Sequence, residues 1–211
     1  MQLLVIPDHR QQWAYLPLPK CGCSSVKRAI ERHFGLEPTE QIHARGWEDA
    51  PPLSEGSQFM RTTTYFRWTV VRHPLSRLIS TWAEKCYAFP ADQAHLLGPD
   101  LRAVYGKSFT EFVAHVLTLD VNSEATDSHI RTQASFLVEN GELLVDKMLR
   151  LESIGTEWPK MQALYGLPDL PWENTSPTEL REQALVELTD EMRAMLVDHY
   201  KASYELLGYE P

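Results

Sequence analysis

Cysteine is scarce: three thiols in 211 residues do not make a disulfide framework. Cys21 and Cys23 flank Gly22 too closely for an easy mutual bridge. With Cys86 as the remaining thiol, a zinc site of about four ligands is short of donors. Long apolar runs are missing too, so no segment suffices to span a bilayer. Met1 to Asp8 lacks the basic flank and extended apolar core of a signal peptide, and a cytoplasmic location is the expectation. Positive charge is in deficit, and the formal net charge of -9 argues against nucleic acid as a partner. There is no internal repeat and no low-complexity tract. The phosphate loop G-x-x-x-x-G-K-[ST] is absent as well, because Gly22 has no glycine five residues away. A nucleoside triphosphatase is thereby disfavoured.

What is present is organised around Trp13 to Phe34, W-A-Y-L-P-L-P-K-C-G-C-S-S-V-K-R-A-I-E-R-H-F. Trp13 to Leu18 is aromatic and aliphatic and short enough for a buried strand, and Pro17 and Pro19 stop it from continuing as a ladder. From Ser24 onward Val26, Ala29, Ile30, His33 and Phe34 recur at helical spacing, with Ser24 or Ser25 as cap and Gly35 as terminator. Strand, Pro-Lys-Cys-Gly-Cys-Ser-Ser, helix is an order that aims backbone N–H groups and the positive end of a helix dipole at one point. Gly22 permits close approach there. Lys20 adds a mobile charge. From this stretch alone, an anion cradle and a plain turn with a solvated lysine fit equally. A helix start near Lys20 also favours thiolate at Cys21 or Cys23, so oxidation of the loop is an expectation.

Tyr65 to Trp82, Y-F-R-W-T-V-V-R-H-P-L-S-R-L-I-S-T-W, repeats the plan with different chemistry. Tyr65 to Val71 is aromatic and β-branched, as a second buried strand would be. Pro74 suits a first helical position, and Leu75, Leu78, Ile79 and Trp82 then share one face. Arg72 stands at the strand tip, and Arg77, Ser80, Thr81 and Glu84 form the opposite face. Two such units, each with basic and hydroxyl groups at its turn, suit a ligand with two separated phosphate-like groups.

Pro19 to Lys27, P-K-C-G-C-S-S-V-K, resembles the 5′-phosphosulfate loop of the sulfotransferases that use 3′-phosphoadenosine 5′-phosphosulfate (PAPS), specifically the carbohydrate (family 2) group. Val71 to Ser80, V-R-H-P-L-S-R-L-I-S, resembles their 3′-phosphate motif V-R-D-P-x-x-R-L-x-S, with His73 in place of the acid. Asp127 to Gln133 is similar to the family's D-x-H-x-x-x-Q segment, and Arg150-Leu151-Glu152 to its (R/K)-x-E. Asn174-Thr175-Ser176 and Tyr204 to Tyr209 resemble the closing N-x-S and D-Y-E-L-F-G-Y patterns. The likeness covers nearly the whole chain. It implies PAPS as sulfate donor, adenosine 3′,5′-bisphosphate as product, and no metal. It assigns the 5′-phosphosulfate to Lys20, Cys21, Gly22, Cys23, Ser24, Ser25 and Val26. The 3′-phosphate goes to Arg72 and Ser80, with Arg77 a weaker candidate.

At 43% hydrophobic content the chain can bury one substantial core, and a single domain over 1–211 is expected. Strands alternating with helices indicate an α/β class: a P-loop-like, mainly parallel β-sheet flanked by helices, with its ligand at the carboxyl ends of the strands. Leu3 to Ile6 fits a short edge strand before a turn at Pro7 to Arg10. Prolines and glycines between Gly35 and Met60 mark irregular structure, placing Gln41 to Trp47 on a long loop. Trp82 to Tyr87 continues the second helix. Ser108 with Glu111, and Ser176 with Glu179, form capping boxes. Glu139-Asn140-Gly141-Glu142 turns a small hairpin, and Met148 to Ile154 fits another strand. Thr156 to Tyr165 fits a helix stopped by Gly166. A last helix runs from the Thr189 cap toward Leu207, with Met192, Met195, Leu196 and His199 inward.

Sulfuryl transfer needs a cation at the leaving oxygen, N–H donors on the equatorial oxygens, and a base for an acceptor hydroxyl. Lys20 and the loop can supply the first two. His43 is the first choice for the base, because it resembles the histidine that some related sulfotransferases place between the two motifs; His129 is the reserve. The expected acceptor is a glycan or a small molecule. Residues 1–85 hold 11 Lys+Arg against 8 Asp+Glu, and residues 86–211 hold 9 against 21, an acidity that makes polyanionic acceptors less attractive than neutral or cationic ones. A second reading, a catalytically silent nucleotide-binding or scaffold protein of the same fold, rests on His73. Oligomeric state is not legible.

Overall fold

The structure is a computed structural model that describes residues 2–172 and 177–211. Strands β1 (Ile6–Asp8) and β2 (Trp13–Leu16) precede helix α1 (Cys23–His33), and α2 (Gly56–Thr62) leads to β3 (Phe66–Val71) and α3 (Pro74–Thr81). After α4 (Pro99–Ala103), α5 (Phe109–Val116) and the short α6 (Ala134–Leu137) come strands β4 (Val138–Glu139), β5 (Glu142–Leu143) and β6 (Lys147–Arg150). Helices α7 (Ile154–Tyr165), α8 (Thr178–Glu187), α9 (Asp190–His199) and α10 (Lys201–Leu207) close the chain. Packing divides it into two compact units, Met1–Arg72 with Phe136–Thr175, and His73–Ser135 with Ser176–Pro211.

The first unit holds a four-stranded sheet in the order β1-β2-β3-β6. β1 runs antiparallel to β2, while β2, β3 and β6 are mutually parallel neighbours. This is the α/β class and the mainly parallel sheet expected from the sequence. All four residues of β2 are buried, as a strand covered on both faces requires. Trp13, Tyr15, Trp68, Val70 and Leu149 pack with Val26, Ala29 and Ile30 of α1 and Ile154, Trp158 and Met161 of α7 in one core. Burying a side chain such as Ile30, 0% exposed, contributes about 1.5–3 kcal/mol.

Two local differences have physical causes. The edge strand starts at Ile6 rather than Leu3, because Asp8 Oδ1 accepts from the backbone N–H groups of Arg10 (2.8 Å) and Gln11 (3.0 Å) and so moves the turn along. Leu3 N–H donates instead to the Leu53 carbonyl at 2.9 Å. The expected irregular stretch before Met60 contains α2, whose first residue must be glycine: a Cβ on Gly56 would lie 2.1 Å from the Leu3 carbonyl oxygen. The Asn140-Gly141 hairpin forms as expected, both residues taking positive φ, which a two-residue turn of this kind demands.

In the second unit α3 continues into a π-helical turn, Trp82–Tyr87, whose bulge is held by the Trp82 indole N–H donating to the Lys107 carbonyl at 3.0 Å. Leu75, Leu78, Ile79 and Trp82 join Phe109, Phe112, Val113, Leu196, Tyr200 and others in a second core. The Ser108–Glu111 capping box is present. Thr189 caps α9 by accepting from Met192 N–H at 3.1 Å. The expected single closing helix is two, because Tyr200 leaves helical geometry and its hydroxyl donates to the Ile130 carbonyl at 2.6 Å. Leu196 faces inward, but Met195 is exposed. The Ser176 capping box and the Asn174-Thr175-Ser176 segment lie outside the described residues. Among the described residues no helix is long and apolar enough to cross a membrane.

Candidate active site

Between β2 and α1 the backbone turns left-handed twice, at Lys20 (φ 65) and at Gly22 (φ 73). Gly22 is the N-cap of α1 and supplies no side chain to the first turn. The helix therefore starts at Cys23, one residue before the expected Ser24, and Ser24 and Ser25 sit buried inside its first turn. Released from capping, the Ser24 hydroxyl is hydrogen-bonded to His43 Nε2 at 2.9 Å. The first N–H groups of a helix have no partner within it, so this end of α1 combines a positive dipole with hydroxyl and imidazole groups. Lys20 is half-buried.

The loop is gripped from two sides within the first unit. At the carboxyl end of β3, Arg72 Nη1 donates to the Lys20 carbonyl at 3.2 Å. After β6, Leu151 abuts Gly22, where a Cβ would meet Leu151 Cδ1 at 2.8 Å. Arg72 and the Arg150-Leu151-Glu152 segment, expected on separate grounds, thus converge on one turn. His43 is exposed, but the residues around it are fixed: Ile42 and Trp47 are buried in the core of this unit.

The thiols face inward. Cys21 is 0% exposed and its Sγ donates to the Pro19 carbonyl at 3.6 Å. Tyr15, also fully buried, has its hydroxyl pushed well above the usual range, by burial first and then by the charges Cys23 and Cys21 would carry. Burial pulls Lys27 below the ordinary lysine value, against a smaller opposing influence of Cys23. Such shielding counters the expected oxidation of the loop. In the second unit Cys86 is pushed up to about 12 by burial and then by the Asp127 charge, which makes it inert.

The polar face of α3 is buried, contrary to a solvated helix face. Arg77 is 2% exposed and donates from Nη1 to the Arg131 carbonyl (2.7 Å) and from Nη2 to the Ser128 carbonyl (2.8 Å). Thr81 donates to the His129 carbonyl at 3.0 Å. These bonds tie α3 to the D-x-H-x-x-x-Q segment; Ser80 is buried beside them on the same helix. His129 Nδ1 donates to Asp127 Oδ1 at 2.8 Å, and its backbone N–H reaches the same oxygen at 2.9 Å. Burial pushes Asp127 up, but the His129 bonds and the charges of His129 and Lys85 outweigh it and hold the carboxyl below its usual value. An imidazole held through Nδ1 by a carboxylate presents Nε2 as a proton acceptor. His73 donates from Nε2 to the Glu210 carbonyl at 3.1 Å and packs edge-on against Tyr204 and Tyr209. The histidine that replaces the family's acid is a docking residue for the chain's last helix.

Two contributors went unassigned in the sequence. Asp127 was visible within its motif, but its role as orienter of His129 appears only in the fold. Glu31 is 1% exposed although it is a carboxylate on a helix, and no sequence signal marks it.

A family profile described as "Sulfotransferase family" matches residues 2–210, spanning both units. No curated protein and no solved structure matches the chain.

Proposed function

Because the chain belongs to the sulfotransferase family, whose members are PAPS-dependent enzymes, we propose that it moves a sulfuryl group from PAPS to a hydroxyl or amine of a neutral or cationic acceptor, a glycan or a small molecule. The observation that carries this reading is the Ser24–His43 bond of 2.9 Å, which brings an imidazole onto the helix end that the resemblance gives to the phosphosulfate. When bound, PAPS supplies the sulfuryl group and leaves as adenosine 3′,5′-bisphosphate. Lys20 and the amides of the turn neutralise the charge that grows on the 5′-phosphate oxygen as its bond to sulfur breaks. His43 takes the proton of an acceptor hydroxyl as that oxygen bonds to sulfur. Residues 1–211 act as one sulfotransferase domain, and a cytoplasmic location fits the reading.

The test is incubation with sulfur-labelled PAPS and fractionated metabolite and oligosaccharide pools. Label transferred to a neutral or cationic acceptor is the expected result. Binding of adenosine 3′,5′-bisphosphate without transfer to any fraction, neutral, cationic or anionic, would overturn the reading.

Arg72 has two roles to separate, since it already supports the Lys20 carbonyl. A charge-assisted contact to phosphate is worth about 1.5–3 kcal/mol. Arg72→Ala should therefore weaken adenosine 3′,5′-bisphosphate by roughly 10- to 100-fold while adenosine 5′-monophosphate changes much less. Equal weakening of both, measured by calorimetry, would leave Arg72 as loop support alone.

A further inference from the structure

We propose that Glu31, with Arg45, is a positioning residue that holds the exposed loop so that His43 meets Ser24. The proposal rests on His43 acting at the α1 N-terminus as argued above. Glu31 lies on the last turns of α1 and is 1% exposed, yet it is a hub of polar contacts. Its Oε2 accepts from Arg28 Nη1 on the same helix at 2.8 Å. Its Oε1 accepts from Arg45 Nε at 2.5 Å and from both the backbone N–H and the hydroxyl of Thr39 at 3.3 Å. Arg45 also donates to the Glu37 carbonyl and lies over the Trp47 ring at 5.9 Å.

These contacts close the chain from Glu37 to Arg45 on one carboxylate. A buried carboxylate is tolerated only when it is paired and hydrogen-bonded, and here the donors include two guanidinium groups. Burial raises the Glu31 carboxyl, but the bonds and charges of Arg28 and Arg45 outweigh it and hold it below its usual value, so the acceptor stays ionised at neutral pH. The His43 segment has no strand or helix of its own. Its place is set by Ile42, buried in the core just before it, and by Arg45, tied to Glu31 two residues after it. An imidazole on an irregular loop is held to within a hydrogen-bond length only by such flanking anchors.

The experiment uses the whole chain, first without any assay of turnover. In protein labelled with nitrogen-15 histidine, the His43 ring resonances, assigned by loss in His43→Ala, report the bond to Ser24. Arg45→Ala should move the Nε2 resonance toward that of free imidazole, Arg45→Lys should restore part of the shift, and Glu31→Gln should resemble Arg45→Ala. Circular dichroism confirms that each variant is folded, and Arg45→Ala, which leaves the buried Glu31 carboxylate paired with Arg28, serves if Glu31→Gln is not. An unchanged His43 resonance in folded Arg45→Ala overturns the proposal. Turnover then separates this idea from the reading beneath it. In the parent, Arg45→Ala should lower kcat with adenosine 3′,5′-bisphosphate affinity unchanged, and in a His43→Ala background it should add no further loss. Additive losses mean that the clamp acts on something other than His43 and sink the proposal. Full activity in His43→Ala sinks the base assignment alone, and the resonance still decides the clamp.

Discussion

Lys20→Ala should lower turnover by roughly 10²- to 10³-fold, the usual scale for removing one preorganised donor to a developing anion, while donor-product affinity falls by a smaller factor. The asymmetry follows from where charge is held. In the ground state the negative charge is spread over the phosphosulfate and shared among the turn's amides and the α1 dipole. In the transition state it concentrates on the oxygen leaving sulfur, where a lysine ammonium is most effective. The backbone makes this a clean substitution. Lys20 sits at φ 65, a left-handed conformation that costs alanine about as much as lysine, so the turn is not relaxed by the change. The Arg72 bond goes to the Lys20 carbonyl and survives it. Single-turnover rates with labelled PAPS, beside calorimetry with adenosine 3′,5′-bisphosphate, read the two effects separately. Turnover within a few-fold of the parent would remove Lys20 from the chemistry.

The sequence showed most where local rules and tertiary needs agree. At Trp13 to Phe34, apolar strand, proline stops, glycine and helical spacing all say the same thing, and the structure follows their order, with the strand ending at Leu16 and the helix cap moved back to Gly22. Asn140-Gly141 and Ser108–Glu111 are legible for the same reason, since turn and cap chemistry are set by neighbours in the chain. What stayed hidden depends on partners far away. Arg77 is polar on a helix face that looks solvated, and only the carbonyls of Ser128 and Arg131, more than fifty residues on, explain why it is buried. Gly56 begins a helix because of Leu3, which no local pattern records. In the site the motif residues were readable through the resemblance, but Ser24 as partner of His43 was not. Its hydroxyl looked like a cap until Gly22 took that position.

His43→Ala should lower kcat by roughly 10²-fold or more, the scale for a positioned general base, with adenosine 3′,5′-bisphosphate affinity nearly intact. His129→Ala should instead raise the acceptor KM. The two histidines are prepared differently. His43 is bonded through Nε2 to a hydroxyl in the first turn of α1, in the loop that carries Lys20, and removal of its ring takes nothing from the amides of that turn. His129 has the better-oriented ring, with Nδ1 fixed by Asp127 at 2.8 Å, an arrangement that places an acceptor group as readily as it takes a proton. Position favours His43 and orientation favours His129. Asp127→Asn decides which property matters, because it loosens the His129 ring and leaves His43 untouched. If His129 only places the acceptor, Asp127→Asn raises KM several-fold and spares kcat. If kcat instead collapses in both His129→Ala and Asp127→Asn while His43→Ala stays active, the base is His129 and the Ser24–His43 bond is a structural one. Full kcat in every one of these variants is the result expected of an amine acceptor, which attacks sulfur with its own lone pair and needs no histidine to remove a proton first.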